Sequence, residues 1–221
     1  MINGSKAPPT VGHQVEATQV SGGLMPHVLW RRTLEAMSHT ADGTPSAAPV
    51  LLFTGPTGVG KTTVAAESSR LLEEAGIPHA VVDLAVIAGC WPRPADDPWN
   101  ERLLHRNLAC MWSNFRQAGA TRLIVCRVLE DRSLLRHITD AVPGAQITVI
   151  RLTATLGELH ARIRTREAGR DPQWYLDTAA YLASKLEGAA VEDHVVSNEN
   201  GPAAAAAEEA LRLAGWPVGP I

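Results

Sequence analysis

Apolar residues in this chain fall into short continuous runs, separated by longer stretches where they recur every three or four positions. The short runs are Val50–Thr54, Ala80–Asp83, Arg122–Val128, Gln146–Leu152 and His194–Ser197. Runs of that length without polar alternation predict parallel strands covered on both faces. The intervening stretches predict helices. Lys61–Ala75 stops at Gly76, and Trp99–Ala118 is the strongest, with Leu103, Leu104, Leu108, Met111, Trp112 and Phe115 on one face and Gly119 at its end. Helices follow at Asp131–Ala141 and Thr155–Glu167. The next is capped by Asp171 with Pro172 at its first position, and the last is an Ala-rich helix near 202–214. Strand and helix alternating at this spacing predict an α/β protein, a parallel sheet with helices on both faces.

Before Val50 the pattern is different. Residues 1–24 are rich in Gly, Pro, Ser and Thr and lack periodicity, which predicts a disordered tail. Residues 25–49 read as a short helix (His27–Ser38) and a linker, so the globular domain is expected at 50–221.

Composition narrows the function classes. The chain has 221 residues, enough for one domain, with a formal net charge of −3 and a pI near 6.2. That balance argues against a nucleic-acid partner. No run approaches the roughly 18 apolar residues of a membrane helix, and the first residues lack an apolar signal core, so a cytoplasmic protein is expected. Cys90, Cys110 and Cys126 have no CxxC spacing and read as reduced core residues. His79, His105, His137, His160 and His194 show no metal spacing. The chain has three lysines, Lys6, Lys61 and Lys185, which leaves Lys61 few substitutes.

Lys61 ends the most specific motif. Gly55-Pro56-Thr57-Gly58-Val59-Gly60-Lys61-Thr62, followed by Thr63, fits GxxxxGK[ST] between a predicted buried strand and a predicted helix. The glycines let backbone N–H groups turn inward around phosphate oxygens, and the helix N-terminus adds its positive dipole end. Lys61 is placed to reach the β- and γ-phosphates, and Thr62 to ligate Mg²⁺. The motif predicts nucleotide binding and is silent on the fate of the γ-phosphate.

The rest of the chain separates the nucleotide-protein classes. A motor ATPase carries an acid at the end of its third strand, whereas this one reads RLIVCRV. Glu130 and Asp131 follow, either as displaced stand-ins or as the start of the next helix. The NKxD and DxxG motifs of GTPases are absent from the sequence.

Residues 50–214 resemble the small P-loop kinases, the nucleoside-monophosphate-kinase-like group that includes gluconate kinase, shikimate kinase, adenylylsulfate kinase and chloramphenicol phosphotransferase. The resemblance rests on the phosphate loop, on "HAVVDLAVI" (79–87) ending its strand at Asp83, and on "VIRLTATLGELHARIRTREAGRD" (149–171). It implies a three-layer α/β/α sandwich with a five-stranded parallel sheet in the order 2-3-1-4-5 and an arginine-bearing lid. It also implies Arg162 near adenine and phosphates, and Arg166 or Arg170 closing over the γ-phosphate. The second acid of the shikimate kinase DxD is replaced here by Ala85, and the GGG substrate motif of those enzymes has no match.

On the acceptor side, Asp83 sits where ligands gather in open α/β sheets. It reads as the base for an acceptor hydroxyl, as a holder of Mg²⁺, or as the cap of the next turn. Trp91 and Arg93, in the stiff loop IAGCWPRPADDPWN (87–100), read as substrate contacts or as a packed loop with an anchoring Trp. Asn107 lies on an apolar helix stripe and needs a partner, either substrate or backbone. Arg162 and Arg166 share a helical face that Arg170 could extend, suited to phosphate or to pairing with Glu158 and Glu167. The reading reached is an ATP- and Mg²⁺-dependent phosphotransferase acting on a small-molecule hydroxyl, monomeric or homodimeric. A nucleotide-binding regulatory or pseudoenzyme module, and a nucleoside or nucleotide kinase, stay open as alternatives.

Overall fold

The computed structural model describes residues 47–199 and 201–216. The expected tail (1–24) and short helix (27–38) lie outside them. Strand β1 (Ala48–Thr54) is fully apolar up to its last residue and buried on both sides. It begins two residues earlier than the sequence pattern predicts, because Ala48 and Pro49 pair with Ala145 and Gln146 of β4 (Ala145–Thr153). The remaining strands are β2 (His79–Asp83), β3 (Arg122–Cys126) and β5 (His194–Ser197). All neighbours are parallel, and the order is β2-β3-β1-β4-β5. The expected order and layering are therefore present.

Alternate residues of each strand feed opposite layers. Leu51 and Phe53 of β1, Ile124 of β3, and Ile150 and Leu152 of β4 pack with α1 (Lys61–Glu74), α5 (Leu156–Arg166), α6 (Gln173–Ala189) and α7 (Ala203–Leu213). Val50, Leu52, Leu123, Val125 and Val149 pack with α2 (Leu84–Ile87), α3 (Glu101–Gln117) and α4 (Arg136–Ala141). No helix among the described residues is long and apolar enough to cross a membrane.

Among the further differences from the sequence reading, four have a clear local reason. β3 ends at Cys126 rather than Val128, since its partner β2 ends at Asp83, which pairs with Cys126. Leu84–Ile87 form a single helical turn capped by Asp83, too short to leave a periodic signal. α3 starts at Glu101 rather than Trp99. Asp97 accepts from the N–H groups of Glu101 (2.7 Å) and Arg102 (3.1 Å), while Asn100 turns left-handed at φ 54°. The helix expected at Asp131–Ala141 opens as a 3₁₀ turn (Arg132–Leu135) in which the Ser133 N–H is met by the Asp131 carboxylate.

Candidate active site

The loop between β1 and α1 is shaped by its glycines. Gly55, Gly58 and Gly60 have φ of 142°, 85° and 95°. A Cβ on Gly60 would sit 2.7 Å from Asn198 Nδ2, and one on Gly55 would sit 2.6 Å from the Leu152 carbonyl oxygen. Side chains are therefore excluded twice, by conformation and by space. Gly60 leads straight into α1, so the free N–H groups of the first helical turn open toward the loop.

Lys61 curls back over this loop, donating from Nζ to the carbonyl oxygens of Gly55 (2.9 Å) and Pro56 (3.0 Å). Burial pulls its amine down from the ordinary value to about 8. Cys126 and Asp83 partly offset that fall, and the positive charge of Arg166 adds to it. The Cys126 thiol, packed under Lys61 with Sγ 3.5 Å from its carbonyl oxygen, is pushed up to about 12 by burial and by the Asp83 charge. It is inert as a nucleophile at neutral pH.

Thr62 and Asp83 meet. Thr62 Oγ1 donates to Asp83 Oδ2 at 2.9 Å, and the other carboxylate oxygen accepts from the Ala85 N–H at 3.0 Å. Asp83 is thus the cap of the next turn, one of the readings the sequence offered, and also a neighbour of the phosphate loop. Among the described residues, no group of three or more His, Cys, Asp and Glu is placed to hold a metal. A cation here would draw on Thr62 and Asp83 and complete its shell with phosphate and water oxygens, as Mg²⁺ does. Both donors are hard oxygens, and the lysine charge beside them is under-compensated, so the residues fit a magnesium–nucleotide polyphosphate. Thr57 and Thr63 flank this point, Thr63 exposed on the first turn of α1.

Arg162 is committed to structure around the loop. Its guanidinium donates to Glu158 Oε1 (2.9 Å), to the Val59 carbonyl oxygen (3.3 Å) and to the Asn198 carbonyl oxygen (2.8 Å). Buried Asn198 adds a bond from Nδ2 to Val59 O at 2.8 Å, so the segment after β5 is tied to the phosphate loop from both sides. Its partner lies 139 residues away, so no local sequence pattern pairs the two.

Arg166 lies over the Tyr175 ring at 5.2 Å and pairs with nearly buried Glu167 at 2.8 Å. It is the last residue of α5. The expectation that Arg170 extends the Arg162–Arg166 face is corrected here. The helix stops at Arg166, and Gly169 turns with φ 85°, so Arg170 belongs to the following turn and is exposed.

On the acceptor side Asn107 is a brace, its Nδ2 donating to the Ile87 carbonyl oxygen at 2.7 Å. Asn100 braces the same loop from below, donating to the carbonyl oxygens of Ala88 (2.9 Å) and Cys90 (3.1 Å). Trp91 is 86% exposed and so does not anchor the loop in the core. Trp99 is 69% exposed, and Arg93 is also exposed. Asp131 is spent on its cap and Glu130 is exposed. The residue after β3 is a cation, Arg127, paired with Glu101 of α3.

No protein-family model matches the sequence, and no curated protein does. Solved structures do match. The tunicamycin resistance protein of Deinococcus radiodurans superimposes with a TM-score of 0.57 at 21% identity, covering 79% of this chain and 99% of its own. A sugar kinase from Janibacter sp. HTCC2649 superimposes with a TM-score of 0.52 at 20% identity, covering 76% and 94%. The fold is that of the P-loop small-molecule kinases. Within it, the phosphate loop, Thr62 and Asp83 lie at the carboxyl ends of β1 and β2, where open α/β sheets collect ligands.

Proposed function

We propose that this protein transfers the γ-phosphoryl group of ATP to a hydroxyl of a small molecule, with Mg²⁺ as cofactor. One observation carries the reading. A carboxylate at the end of β2 lies in hydrogen-bond contact with the threonine of the phosphate loop, one residue from a half-buried, under-compensated lysine. A structural cap alone needs no such contact.

The phosphate loop and the first turn of α1 bind the polyphosphate through backbone N–H groups. Lys61 exchanges its carbonyl partners for phosphate oxygens and holds charge that builds on the transferring group. Thr62 and Asp83 would hold Mg²⁺, which would neutralise phosphate charge. The acceptor oxygen forms the new bond to phosphorus, and the bond to the β–γ bridging oxygen breaks with its electron pair leaving on ADP. The acceptor proton passes to Asp83, whose oxygens each keep a lone pair beyond the bonds from Thr62 and Ala85. Arg166 supplies a further positive charge near Lys61, oriented by Glu167 and Tyr175.

The test is a phosphoryl-transfer screen with ATP and Mg²⁺ against sugars, nucleosides and antibiotics, with products read by mass spectrometry. Transfer is expected to an alcohol acceptor, and Lys61→Ala is expected to lose roughly 10²-fold or more. Lys61→Ala turning over like the wild type overturns the reading. So does ATP binding with no transfer to any compound, which would favour a regulatory module.

A further inference from the structure

Four guanidinium groups lie on the acceptor side; Arg106, on α3, is exposed, and two of the others are already neutralised. Arg102 makes a two-pronged pair with Asp96 at 2.9 and 3.0 Å. Arg127 pairs with Glu101, and both side chains are mostly buried, with 19% and 27% exposed. The third, Arg93, is exposed on the loop.

The Glu101–Arg127 pair has a particular place. Asp83 is in register with Cys126, so Arg127 is the next residue on the strand beside it, and its N–H donates to Phe53 O just before the phosphate loop. Glu101 opens α3 and reaches this point from the opposite layer. Its second oxygen, Oε2, is buried and has no hydrogen-bond partner, and one helical turn on, His105 Nε2 is in the same condition. A buried carboxylate oxygen without a donor is costly, so the pair retains capacity for an incoming N–H or O–H.

We propose that the Glu101–Arg127 pair makes the acceptor side selective for uncharged or cationic hydroxyl compounds and against anionic ones. This rests on Asp83 being the acceptor-side residue. A sugar acid or a phosphorylated acceptor needs an uncompensated cation, and Arg127, which follows Asp83's register partner Cys126, is the cation that the end of β3 offers. Glu101 removes that charge.

Two measurements test this, one independent of turnover. With the phosphate loop filled by a magnesium complex of a non-hydrolysable ATP analogue, sulfate is titrated while the arginine side-chain NMR signals are followed. Wild type is expected to bind sulfate weakly at Arg127. Glu101→Gln frees Arg127 and is expected to bind sulfate about tenfold more tightly or better. Arg127→Gln reverses the imbalance and is expected to take up methylguanidinium instead, and it reads the pair if Glu101→Gln fails to fold. Equal affinities in wild type and both variants overturn the proposal. The second measurement is the charge of the compounds that wild type phosphorylates. Uncharged or cationic acceptors are expected, and a sugar acid or phosphate ester as the best acceptor overturns the proposal. If nothing is phosphorylated, the phosphotransferase reading fails while the sulfate comparison still decides the role of the pair.

Discussion

The Thr62 hydroxyl donates to Oδ2 of Asp83 at 2.9 Å, joining the first turn of α1 to the end of β2 across 21 residues of chain. On the proposed function, the contact would bring this carboxylate within reach of both the metal and the acceptor oxygen. Because Oδ1 is held by the Ala85 N–H, the carboxylate cannot swing away.

Replacing Asp83 therefore separates its roles. Asp83→Asn keeps an oxygen for the cap and is expected to fold normally, with phosphoryl transfer down roughly 10²–10⁴-fold. Asp83→Ala also loses the cap, about 0.5–2 kcal/mol in chemical denaturation. Partial rescue of Asp83→Asn by raised Mg²⁺ would assign the loss to metal binding, and its absence to proton transfer. Full activity in Asp83→Asn would leave only the cap.

Lys61 predicts a proton linkage. Its folded value, about 8, lies below the ordinary 10.5, so between these values the unfolded chain binds more protons. Stability of the nucleotide-free protein from this residue is therefore expected to rise with pH through that window, by about 1 kcal/mol from pH 8 to 9. Cys126 acts oppositely above its ordinary 9.0, because its folded value is about 12 and the unfolded thiol ionises first. The clean interval is thus pH 8–9, and Lys61→Met is expected to flatten it in urea titrations.

The same linkage appears in binding. Phosphate oxygens favour the protonated amine, so ATP binding near pH 8 is expected to take up about half a proton, and affinity is expected to fall as pH rises above 8. Calorimetry in buffers of different ionisation enthalpy measures the uptake. No uptake in wild type, or an equal uptake in Lys61→Met, removes Lys61 from the phosphate site.

Asn198 tests how the loop is held. Asn198→Ala strips Val59 O of a buried donor and is expected to cost about 1–3 kcal/mol. By loosening the loop it is also expected to raise KM for ATP more than it lowers kcat. A stability loss with ATP affinity unchanged would show that the segment after β5 does not position the phosphate loop.

For Arg166 the expected pattern is the reverse. Arg166→Ala should lower kcat by roughly 10²–10³-fold with ATP Kd altered only a few-fold, as for charge used in the transition state. Arg170→Ala, on the turn beyond the helix, should do less. Steady-state kinetics beside direct ATP binding distinguishes these outcomes, and an unchanged kcat in Arg166→Ala returns the cluster to a solvated face.

The fold and the phosphate loop were legible in the sequence because their determinants are contiguous. An apolar run such as Val50–Thr54 needs cover on both faces wherever it occurs, and GPTGVGKT makes its cradle from its own backbone. What the tertiary structure decided are pairings between distant residues. Asn107 finds Ile87, Asn198 finds Val59, Arg127 is cancelled by Glu101, and Asp83 meets Thr62. A polar side chain in a sequence shows a need for a partner without showing which one. Helix ends belong to the same class. Arg170 sits a turn of sequence after Arg166, and only the break at Glu167 and Gly169 takes it off the shared face. Register did the rest. β2 ends at Asp83 and β3 ends opposite it at Cys126, which leaves the Arg127 side chain to pair with Glu101 of α3.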